Sequence, residues 1–521
     1  MLNKYQKLAH TLAMKGQNLS VAANPGTGKT HLGREIALSL AENGKRVLYA
    51  AFANTNVNDI KSKVNHDNVT ISTVHSACLK QHGYNANIQD GRLLFRLRMD
   101  KISALQIPFI LNLVALAKAH GLKAATMDQM AQIAKHYSVF YGYFSLPHEQ
   151  ENEVLGLACN YLQDIATDSI DYDDMVFHVA VELVKVKTKW DVIIIDEYQD
   201  MSRSQIIALA LMADQLIGLG QDEQGIYGFR GAAGILPLPD ETIVKLKETY
   251  RCHKPIVDFV NGIFETSMIA IENDPSSKVE IVDQLAEDHV LTIDTDTMVV
   301  TRTNREVVKM AITCLLNKRP FRLSNPDIML LPFITICYDA AYQFKCPTCG
   351  KELNAFKGKF GWVFGCKGTE GNPHKQEWFN IKKIETTTKE LAIAWLKVYY
   401  ESVIEQSRFP ADKIEERDLL VGLFESAQSP KQAIYYLWKI IYEQNENGAL
   451  LTTAHKCKGL EAENVIVIGK NFFNDFVKTG FQQRQEYNLL FVAYTRAKKT
   501  LTIVGEPYIE QLTEIRTKNI R

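Results

Sequence analysis

Residues 19 to 40 constrain the fold of this 521-residue chain more than any other stretch. An apolar run, LSVAA, is typical of a strand end, and the small-residue turn NPGTGKT follows it. After the turn, Leu32, Ile36, Leu38 and Leu40 have the spacing of a helix with one buried face. A strand, a glycine-containing turn and a helix in this order are the context of a phosphate-binding loop.

The turn supplies the groups that hold the phosphates of a nucleotide. Backbone N–H groups at a helix start surround phosphate oxygens, the lysine reaches the β- and γ-phosphates, and the threonine holds Mg²⁺. The usual first glycine is Ala23 here, and a chance glycine turn is the alternative, which the flanking strand and helix disfavour. The predicted nucleotide-binding residues of this loop are Asn24, Pro25, Gly26, Thr27, Gly28, Lys29 and Thr30.

A second segment, WDVIIIDEYQDMS, carries two adjacent carboxylates at the end of an apolar run. Such a run is typical of a buried parallel strand, and open α/β sheets bind their ligands at the carboxyl ends of strands. Asp196 is predicted to contact Mg²⁺, and Glu197 to polarise an attacking water. An acidic loop that caps a strand is the alternative, and the adjacency of the two acids disfavours it.

Six segments carry a resemblance to a known family. They are, in chain order, ANPGTGKT, DEYQD, GQDEQGIYGFRGA, ETYRC, TAHKCKGLE and NLLFVAYTRAKK. In this order the chain resembles superfamily 1 helicases of the UvrD/Rep/PcrA branch, from Gln6 to Lys499. The resemblance implies an α/β fold with two RecA-like parallel-sheet motor domains. It also implies an ATP- and Mg²⁺-dependent DNA helicase that translocates on single-stranded DNA, with 3′→5′ polarity, and unwinds duplex DNA.

The resemblance also implies roles for residues outside the phosphate loop. Gln6 and Tyr250 resemble the residues that read and stack on adenine, and Gln224 resembles the γ-phosphate sensor. Arg251 and Arg496 resemble the two arginines that act on the γ-phosphate. The motif that links DNA, the nucleotide ribose and the hinge is matched by Thr453, His455, Lys458, Gly459 and Glu461.

Predicted DNA contacts rest on the same resemblance. The residues are Phe52, Asn54, Thr73, His75, Phe229 and His455. A core position is the alternative for Phe52, and an ordinary core or surface position is the alternative for His75. The chain departs from the family pattern at Gln221, where aspartate is usual, at Phe229, where many relatives have tryptophan, and at Cys457, where serine is usual. The adjacent Asp222 is left as a candidate substitute for the missing aspartate.

The strand and helix signals indicate two motor domains, each interrupted by an insertion. Residues 81–189 are mostly helical in pattern. The basic segment RLLFRLRMDK within them is interpreted as an amphipathic helix, with a DNA-backbone role as the alternative. The predicted domains are 1–80 with 190–239 (motor domain 1A), 81–189 (helical insertion 1B), 240–325 with 446–521 (motor domain 2A) and 326–445 (a 2B-like insertion).

The second insertion contains a cysteine pattern that is typical of a zinc ribbon. Cys346, Cys349 and Cys366 are followed by His374, the only nearby candidate for a fourth ligand. The phrase GKFGWVFGC resembles the zinc ribbons of type IA topoisomerases. A ribbon spanning about residues 342–380 would hold a structural Zn²⁺, and a degraded site is the alternative.

Composition limits the remaining choices. The formal net charge is −1, so contact with nucleic acid requires a local groove and not a basic surface overall. No apolar run is long enough to cross a bilayer, so we expect a cytoplasmic protein with no membrane contact. Two rival functions remain: a translocase that strips proteins from DNA without unwinding, and a DNA-binding adaptor that switches with ATP. The sequence leaves the pathway open between DNA repair, DNA replication restart, and plasmid or phage DNA replication.

Overall fold

The computed structural model describes residues 2–51, 54–83, 86–140, 146–163, 169–232, 234–238, 240–284, 293–324, 333–342, 354–358, 361–369, 372–380, 386–405, 410–474, 477 and 479–518. The chain divides into two compact units. The first comprises Met1–Val282 and Cys457–Arg521, and the second comprises Asp283–Lys456.

The strands are two to nine residues long. In chain order they are β1 Leu19–Ala23, β2 Val47–Ala51, β3 Val69–Thr73, β4 Trp190–Asp196, β5 Ala213–Gly220, β6 Thr242–Leu246, β7 Glu248–Thr249, β8 Ile269–Ala270, β9 Lys278–Val282, β10 Thr297–Thr301, β11 Phe321–Leu323, β12 Asn354–Gly358, β13 Gly361–Thr369, β14 Asn372–Asn380, β15 Ala449–Thr453, β16 Ala462–Ile468 and β17 Ala497–Val504.

The helices surround these strands in both units. In chain order they are α1 Lys4–Ala13, α2 Lys29–Glu42, α3 Asn54–Lys61, α4 Val74–His82, α5 Arg92–Met99, α6 Ile107–Ala119, α7 Met127–His136, α8 His148–Gln163, α9 Tyr172–Ala180, α10 Arg203–Leu211, α11 Lys254–Ile263, α12 Asn304–Leu316, α13 Phe333–Tyr342, α14 Lys389–Glu405, α15 Pro410–Ser426, α16 Pro430–Tyr442, α17 Gly480–Tyr494 and α18 Ile509–Lys518.

The main sheet of the first unit positions the candidate site. Its six strands are parallel in the order β3-β2-β4-β5-β1-β6. The strands β2 and β4 are buried along most of their length, as expected for a parallel sheet that helices cover on both faces. Because the strands are parallel, Ala23, Ala51, Asp196 and Gly220 all end at one edge of the sheet. This edge is where a ligand of an open α/β sheet binds.

Five helices, α5 to α9, occupy the stretch between α4 and β4 that the sequence predicts to be helical. The helices α5 to α8 share a core that includes Leu113, Val114, Met130 and Val154. The helix α9 packs against α4 and α10 beside the main sheet. The segment RLLFRLRM forms α5, which agrees with its predicted amphipathic helix.

The first unit also contains β16, β17 and β9, which are parallel in that order, and the parallel pair β7 and β8. In the second unit, β11, β15 and β10 are also parallel in that order. The second unit also contains an antiparallel sheet of β12, β13 and β14 and the helices α12 to α16. The predicted α/β fold with parallel sheets is confirmed. No helix in the described part of the chain is long and apolar enough to cross a membrane.

Candidate nucleotide-binding and hydrolysis site

The predicted phosphate loop lies between β1 and α2, at the carboxyl edge of the main sheet. Gly26 and Gly28 have φ values of +72° and +74°, which favour glycine because they lie in the left-handed region. The loop closes on itself, since the Thr27 hydroxyl donates a 2.8 Å hydrogen bond to the carbonyl oxygen of Asn24. The helix α2 begins at Lys29 directly after the loop, so its first N–H groups face the loop.

Lys29 connects this loop to the two carboxylates that follow β4. Its Nζ lies 2.7 Å from Oε1 of Glu197 and 3.8 Å from Oδ1 of Asp196. Tyr49, at the end of the neighbouring strand β2, donates a 3.2 Å hydrogen bond to the other oxygen of Asp196. Glu197 has a φ of +53°, an unusual value for a residue with a side chain. Strain of this kind occurs where the surrounding structure fixes a functional side chain.

The pKa values of the two carboxylates in this cluster are shifted in opposite directions. Burial alone would raise the pKa of Glu197, but the charges of Lys29 and Lys458 outweigh burial and hold that pKa well below its usual range. Burial raises the pKa of Asp196, and the negative charge of Glu197 adds to the rise. Burial would lower the pKa of Lys29, but Glu197 and Asp196 raise it overall. Glu197 and Lys29 are therefore both charged at neutral pH.

Lys458 forms a second contact with this cluster from the turn that precedes β16. Its Nζ lies 2.5 Å from Oδ2 of Asp200 and 3.7 Å from Oε2 of Glu197, and it donates a 2.7 Å hydrogen bond to the carbonyl oxygen of Gln224. Burial raises the pKa of Asp200 to about 6, although Lys458 opposes the rise. Lys458 thus joins the segment after β4 to the turn after β5.

The two predicted arginines lie in the same compact unit as the loop. The Nε of Arg251 donates a 2.8 Å hydrogen bond to Glu461, and a Cβ built on Gly26 would lie 2.5 Å from the Cβ of Arg251. Arg496 is buried and donates to the carbonyl oxygens of Val492 and Leu460 at 2.9 and 3.3 Å. Burial and the charge of Arg251 lower the pKa of Arg496 to about 10, so the side chain stays charged at neutral pH.

The residues predicted to bind adenine flank the loop. The amide of Gln6 donates a 2.9 Å hydrogen bond to the carbonyl oxygen of Thr27 and accepts one of 3.0 Å from the N–H of Asn3. Tyr250 has a half-exposed ring, and its hydroxyl accepts a 3.1 Å hydrogen bond from the side chain of Asn3. The N–H of Tyr250 also donates to the carbonyl oxygen of Gly26 at 2.9 Å. Hydrogen bonds thus connect the phosphate loop to Gln6 of α1 and to Tyr250.

The turn after β5 contains Gln221, at the position where aspartate is usual in the family, and the adjacent Asp222. Oδ1 of Asp222 accepts a 2.8 Å hydrogen bond from the N–H of Ile235. The adjacent Gln221 contacts the loop, and its Nε2 donates a 2.9 Å hydrogen bond to Oδ1 of Asn24. Gln224 is buried at the end of the same turn. The contact with Asn24 of the loop is thus made by Gln221, the residue at the position of the missing aspartate.

Comparisons with known proteins agree with this geometry. A model of the UvrD/REP helicase N-terminal domain matches residues 2–236, and a model of the UvrD-like helicase C-terminal domain matches residues 448–504. Together the two matches cover more than half of the chain. The chain belongs to the UvrD-like helicase family.

Individual relatives match only part of their own length. The ATP-dependent DNA helicase PcrA of Bacillus subtilis is 25% identical over 309 residues, which are 50% of this chain and 40% of PcrA. DNA helicase II of Rickettsia typhi is 26% identical over 306 residues, or 51% of this chain and 45% of the relative. The exonuclease/helicase subunit RexA of Lactococcus lactis is 28% identical over 147 residues, or 24% of this chain and 12% of the relative. The chain therefore spans less than half of each of these relatives.

The predicted DNA contacts of this UvrD-like chain are only partly described. Phe52 lies outside the described residues, and Asn54 begins α3 with a side chain that is likewise outside them. Thr73 caps α4, because its hydroxyl accepts a 3.2 Å hydrogen bond from the N–H of Ser76. The next residue but one, His75, is partly buried, and burial lowers its pKa.

Phe229 is a predicted DNA contact that is exposed, at 48% of its surface. The ring lies 6.3 Å from that of Tyr227, and the guanidinium of Arg230 lies 5.5 Å from its centre. An exposed ring beside a cation suits the face of a nucleotide base. His455 is partly buried in the second unit, next to the segment in which the Thr453 hydroxyl accepts a 3.4 Å hydrogen bond from the N–H of Lys456.

The candidate zinc ligands also fall largely outside the described residues. Cys346 and Cys349 lie in the range 343–353, and the structure describes only the backbone strands of Cys366 and His374. These strands, β13 and β14, are antiparallel neighbours. Within the described ranges no group of three or more His, Cys, Asp or Glu side chains could hold a metal ion. The zinc site remains a prediction.

Several residues that contact the site were not predicted from the sequence. They include Tyr49, Gln199 and Asp200, together with Thr249, whose hydroxyl donates a 2.7 Å hydrogen bond to the carbonyl oxygen of Pro25. Asp200 has a sequence signal, since it lies three residues after Glu197 on the same turn. The contact of Tyr49 with Asp196 has no such signal in the sequence, because it depends on β2 lying beside β4 in the sheet.

Proposed function

We propose that this chain is an ATP-dependent DNA helicase that translocates on single-stranded DNA with 3′→5′ polarity and unwinds duplex DNA. The proposal is supported most directly by the cluster of Lys29, Asp196 and Glu197 at the carboxyl edge of the parallel sheet. A buried lysine next to two carboxylates and a glycine-containing loop matches the needs of phosphoryl transfer.

In this proposal the phosphates of ATP bind to the loop of residues 24–30. The N–H groups of the loop and the start of α2 cradle the phosphate oxygens. Lys29 exchanges its ion pair with Glu197 for the β- and γ-phosphates, and the freed Glu197 orients and polarises the attacking water. The half-exposed ring of Tyr250 stacks on the adenine, and Gln6 reads the edge of the base.

The oxygens of Thr30 and Asp196 suit Mg²⁺, because hard cations prefer hydroxyl and carboxylate ligands. Asp196 already lies beside one positive charge, that of Lys29 at 3.8 Å. Mg²⁺ bound by these residues would neutralise charge on the β- and γ-phosphates.

Arg251 and Arg496 act on the γ-phosphate as charge develops on its oxygens. Both side chains are bonded to protein groups, Arg251 to Glu461 and Arg496 to main-chain carbonyl oxygens. The cost of leaving these partners makes hydrolysis depend on a rearrangement that frees them, which suits an enzyme that couples chemistry to movement. Gln224, held at the end of its turn, senses the γ-phosphate.

The strand of DNA contacts Phe52, Asn54, Thr73, His75, Phe229 and His455. Motor domains comprise residues 1–80 with 190–239 and residues 240–325 with 446–521, and residues 81–189 and 326–445 are insertions. The ribbon of residues 342–380 binds one structural Zn²⁺ through Cys346, Cys349, Cys366 and His374, a ligand set that favours zinc.

Strand displacement with tailed duplexes tests the proposal. We expect ATP-dependent displacement from a duplex with a 3′ single-stranded tail and little from a matched 5′-tailed duplex. Displacement from the 5′-tailed duplex alone would reverse the polarity. DNA-stimulated ATP hydrolysis without displacement would favour a translocase that removes proteins from DNA, and tight ATP-sensitive DNA binding with very slow turnover would favour an adaptor.

A further inference from the structure

The side chains of Gln199, Gln221 and Asn24, together with the backbone N–H of Gln221, connect Glu197 to the phosphate loop. Nε2 of Gln199 donates a 2.5 Å hydrogen bond to Oε2 of Glu197, and Oε1 of Gln199 accepts a 3.0 Å hydrogen bond from the N–H of Gln221. Nε2 of Gln221 then donates a 2.9 Å hydrogen bond to Oδ1 of Asn24. Gln199, Gln221 and Asn24 are called the amide relay below.

The chemistry of its partners fixes the orientation of Gln199. An ionised carboxylate can only accept a hydrogen bond and a backbone N–H can only donate one, so a flipped amide would lose both bonds. Gln199 is fully buried, and a flipped amide would therefore leave two polar groups without partners. Gly220 leaves the space that this amide occupies, because a Cβ there would collide with Oε1 of Gln199.

The link between Gln221 and Asn24 depends on the residue that departs from the family pattern. An aspartate at position 221 would carry no N–H to donate to Oδ1 of Asn24, whereas the glutamine amide does. Asn24 is also the residue whose carbonyl oxygen accepts hydrogen bonds from both the N–H and the hydroxyl of Thr27, at 3.3 and 2.8 Å. A shift of the loop at Thr27 therefore moves Asn24, and with it the end of the relay.

We propose that the amide relay positions Glu197 according to the state of the phosphate loop, so that Gln199, Gln221 and Asn24 are positioning residues for hydrolysis. The inference rests on the proposed ATPase function. When phosphates engage Lys29, Glu197 loses its closest cation, and the amide of Gln199 remains as a fixed donor. That donor holds one carboxylate oxygen in place and leaves the other directed at the water.

The matched pair Gln199→Met and Gln215→Met tests the relay. Gln215 is a buried glutamine on β5 that donates to the carbonyl oxygens of Ala13 and Gln17 at 2.9 and 2.7 Å, so it loses comparable bonds away from the site. We expect Gln199→Met to lower kcat for ATP by about tenfold with little change in KM, as for loss of positioning of a general base. Gln215→Met should leave kcat and KM near those of the unmodified chain.

The split between kcat and KM gives a readout that a merely structural role would not produce. The amide of Gln199 donates to the carboxylate of Glu197, so its removal should lower kcat and leave KM for ATP near that of the unmodified chain. A general loss of structure would instead lower Tm and the fraction of active protein. Equal kcat values in Gln199→Met and Gln215→Met would overturn the relay.

Coupling along the relay is tested with Asn24→Ala. The relay predicts that the kcat losses of Gln199→Met and Asn24→Ala are less than multiplicative when combined, because either change breaks the same chain of bonds. The same double-mutant cycle can be measured by thermal unfolding, which needs no ATP turnover. The losses in Tm should be less than additive when the two changes are combined. Additive losses in Tm would overturn the relay even if the unmodified chain proved inactive. An inactive unmodified chain would by itself contradict only the proposed function.

Discussion

Lys29 and Glu197 form a buried ion pair, with 2.7 Å between Nζ and Oε1. In the proposed function, phosphate oxygens would compete with the carboxylate of Glu197 for this ammonium group. The pair also keeps Glu197 ionised, since Lys29 and Lys458 outweigh the effect of burial on its pKa. An ionised carboxylate is the form that the proposed role of Glu197 as a base requires.

Asp200 should make the stability of the chain depend on pH in an unusual direction. Burial raises its pKa to about 6, above the ordinary value of 3.8, so the folded chain holds this proton more tightly than the unfolded chain. Its contribution to stability is fully present below about pH 4 and is lost as the pH rises through about 6.

The variant Asp200→Asn keeps an oxygen for Lys458 and cannot lose a proton. We expect its Tm to match that of the unmodified chain near pH 4.5 and to exceed it by several degrees at pH 7.5. The measurement is thermal unfolding of both proteins across this range. A constant Tm difference from pH 4.5 to 7.5 would contradict the raised pKa.

Arg496→Lys should slow hydrolysis without weakening nucleotide binding. A lysine keeps a positive charge but loses the fork of donors with which a guanidinium surrounds phosphate oxygens. We expect kcat for ATP to fall about 10²-fold or more, in line with the loss of one transition-state donor. The exposed Arg203 on α10 gives a matched control, and Arg203→Lys should leave kcat unchanged. Equal kcat values for the two variants would remove Arg496 from the site.

Phe229→Ala should weaken the response to single-stranded DNA. Stacking of a base on an aromatic ring contributes about 1–3 kcal/mol, so half-maximal stimulation of ATP hydrolysis should need roughly tenfold more DNA. ATP hydrolysis without DNA should be unaffected. Phe95, exposed at 62% on α5, provides the control for general loss of an aromatic surface. A larger loss in Phe95→Ala than in Phe229→Ala would move the DNA contact to the helical insertion.

The zinc prediction is tested by metal content. We expect about one Zn²⁺ per chain in the purified protein, since a site with cysteine and histidine ligands binds zinc tightly. Cys349→Ser should lose the metal, whereas Cys314→Ala, a change in a buried cysteine of α12, should keep it. Zinc below a tenth of an equivalent in the unmodified chain would favour a degraded ribbon.

Local patterns predicted the parts of the site that are contiguous in sequence. The strand, loop and helix around Lys29 and the apolar strand before Asp196 needed only periodicity and turn chemistry. Contacts that depend on the order of strands could not be predicted this way. Tyr49 reaches Asp196 because β2 lies beside β4, and Gln221 reaches Asn24 because β5 lies beside β1.

Ion pairs between segments that are distant in sequence could not be predicted from local sequence patterns either. Lys458 was expected in the site on resemblance, but its bond to Asp200 crosses 258 residues of sequence. The ion pair of Arg251 with Glu461 was not predicted either, because Glu461 was expected only as a residue that contacts a nucleotide. In both cases burial of a charge requires an opposite charge nearby, and the sequence does not say which of many candidates supplies it.

The central claim is tested most directly by DNA-stimulated ATP turnover of Lys29→Ala. The account predicts that kcat falls about 10³-fold while Tm stays within a few degrees, because Lys458 still pairs with Glu197 at 3.7 Å. The exposed Lys45 provides the control, and Lys45→Ala should turn over ATP normally. Normal DNA-stimulated turnover in a folded Lys29→Ala protein would contradict the assignment of this site.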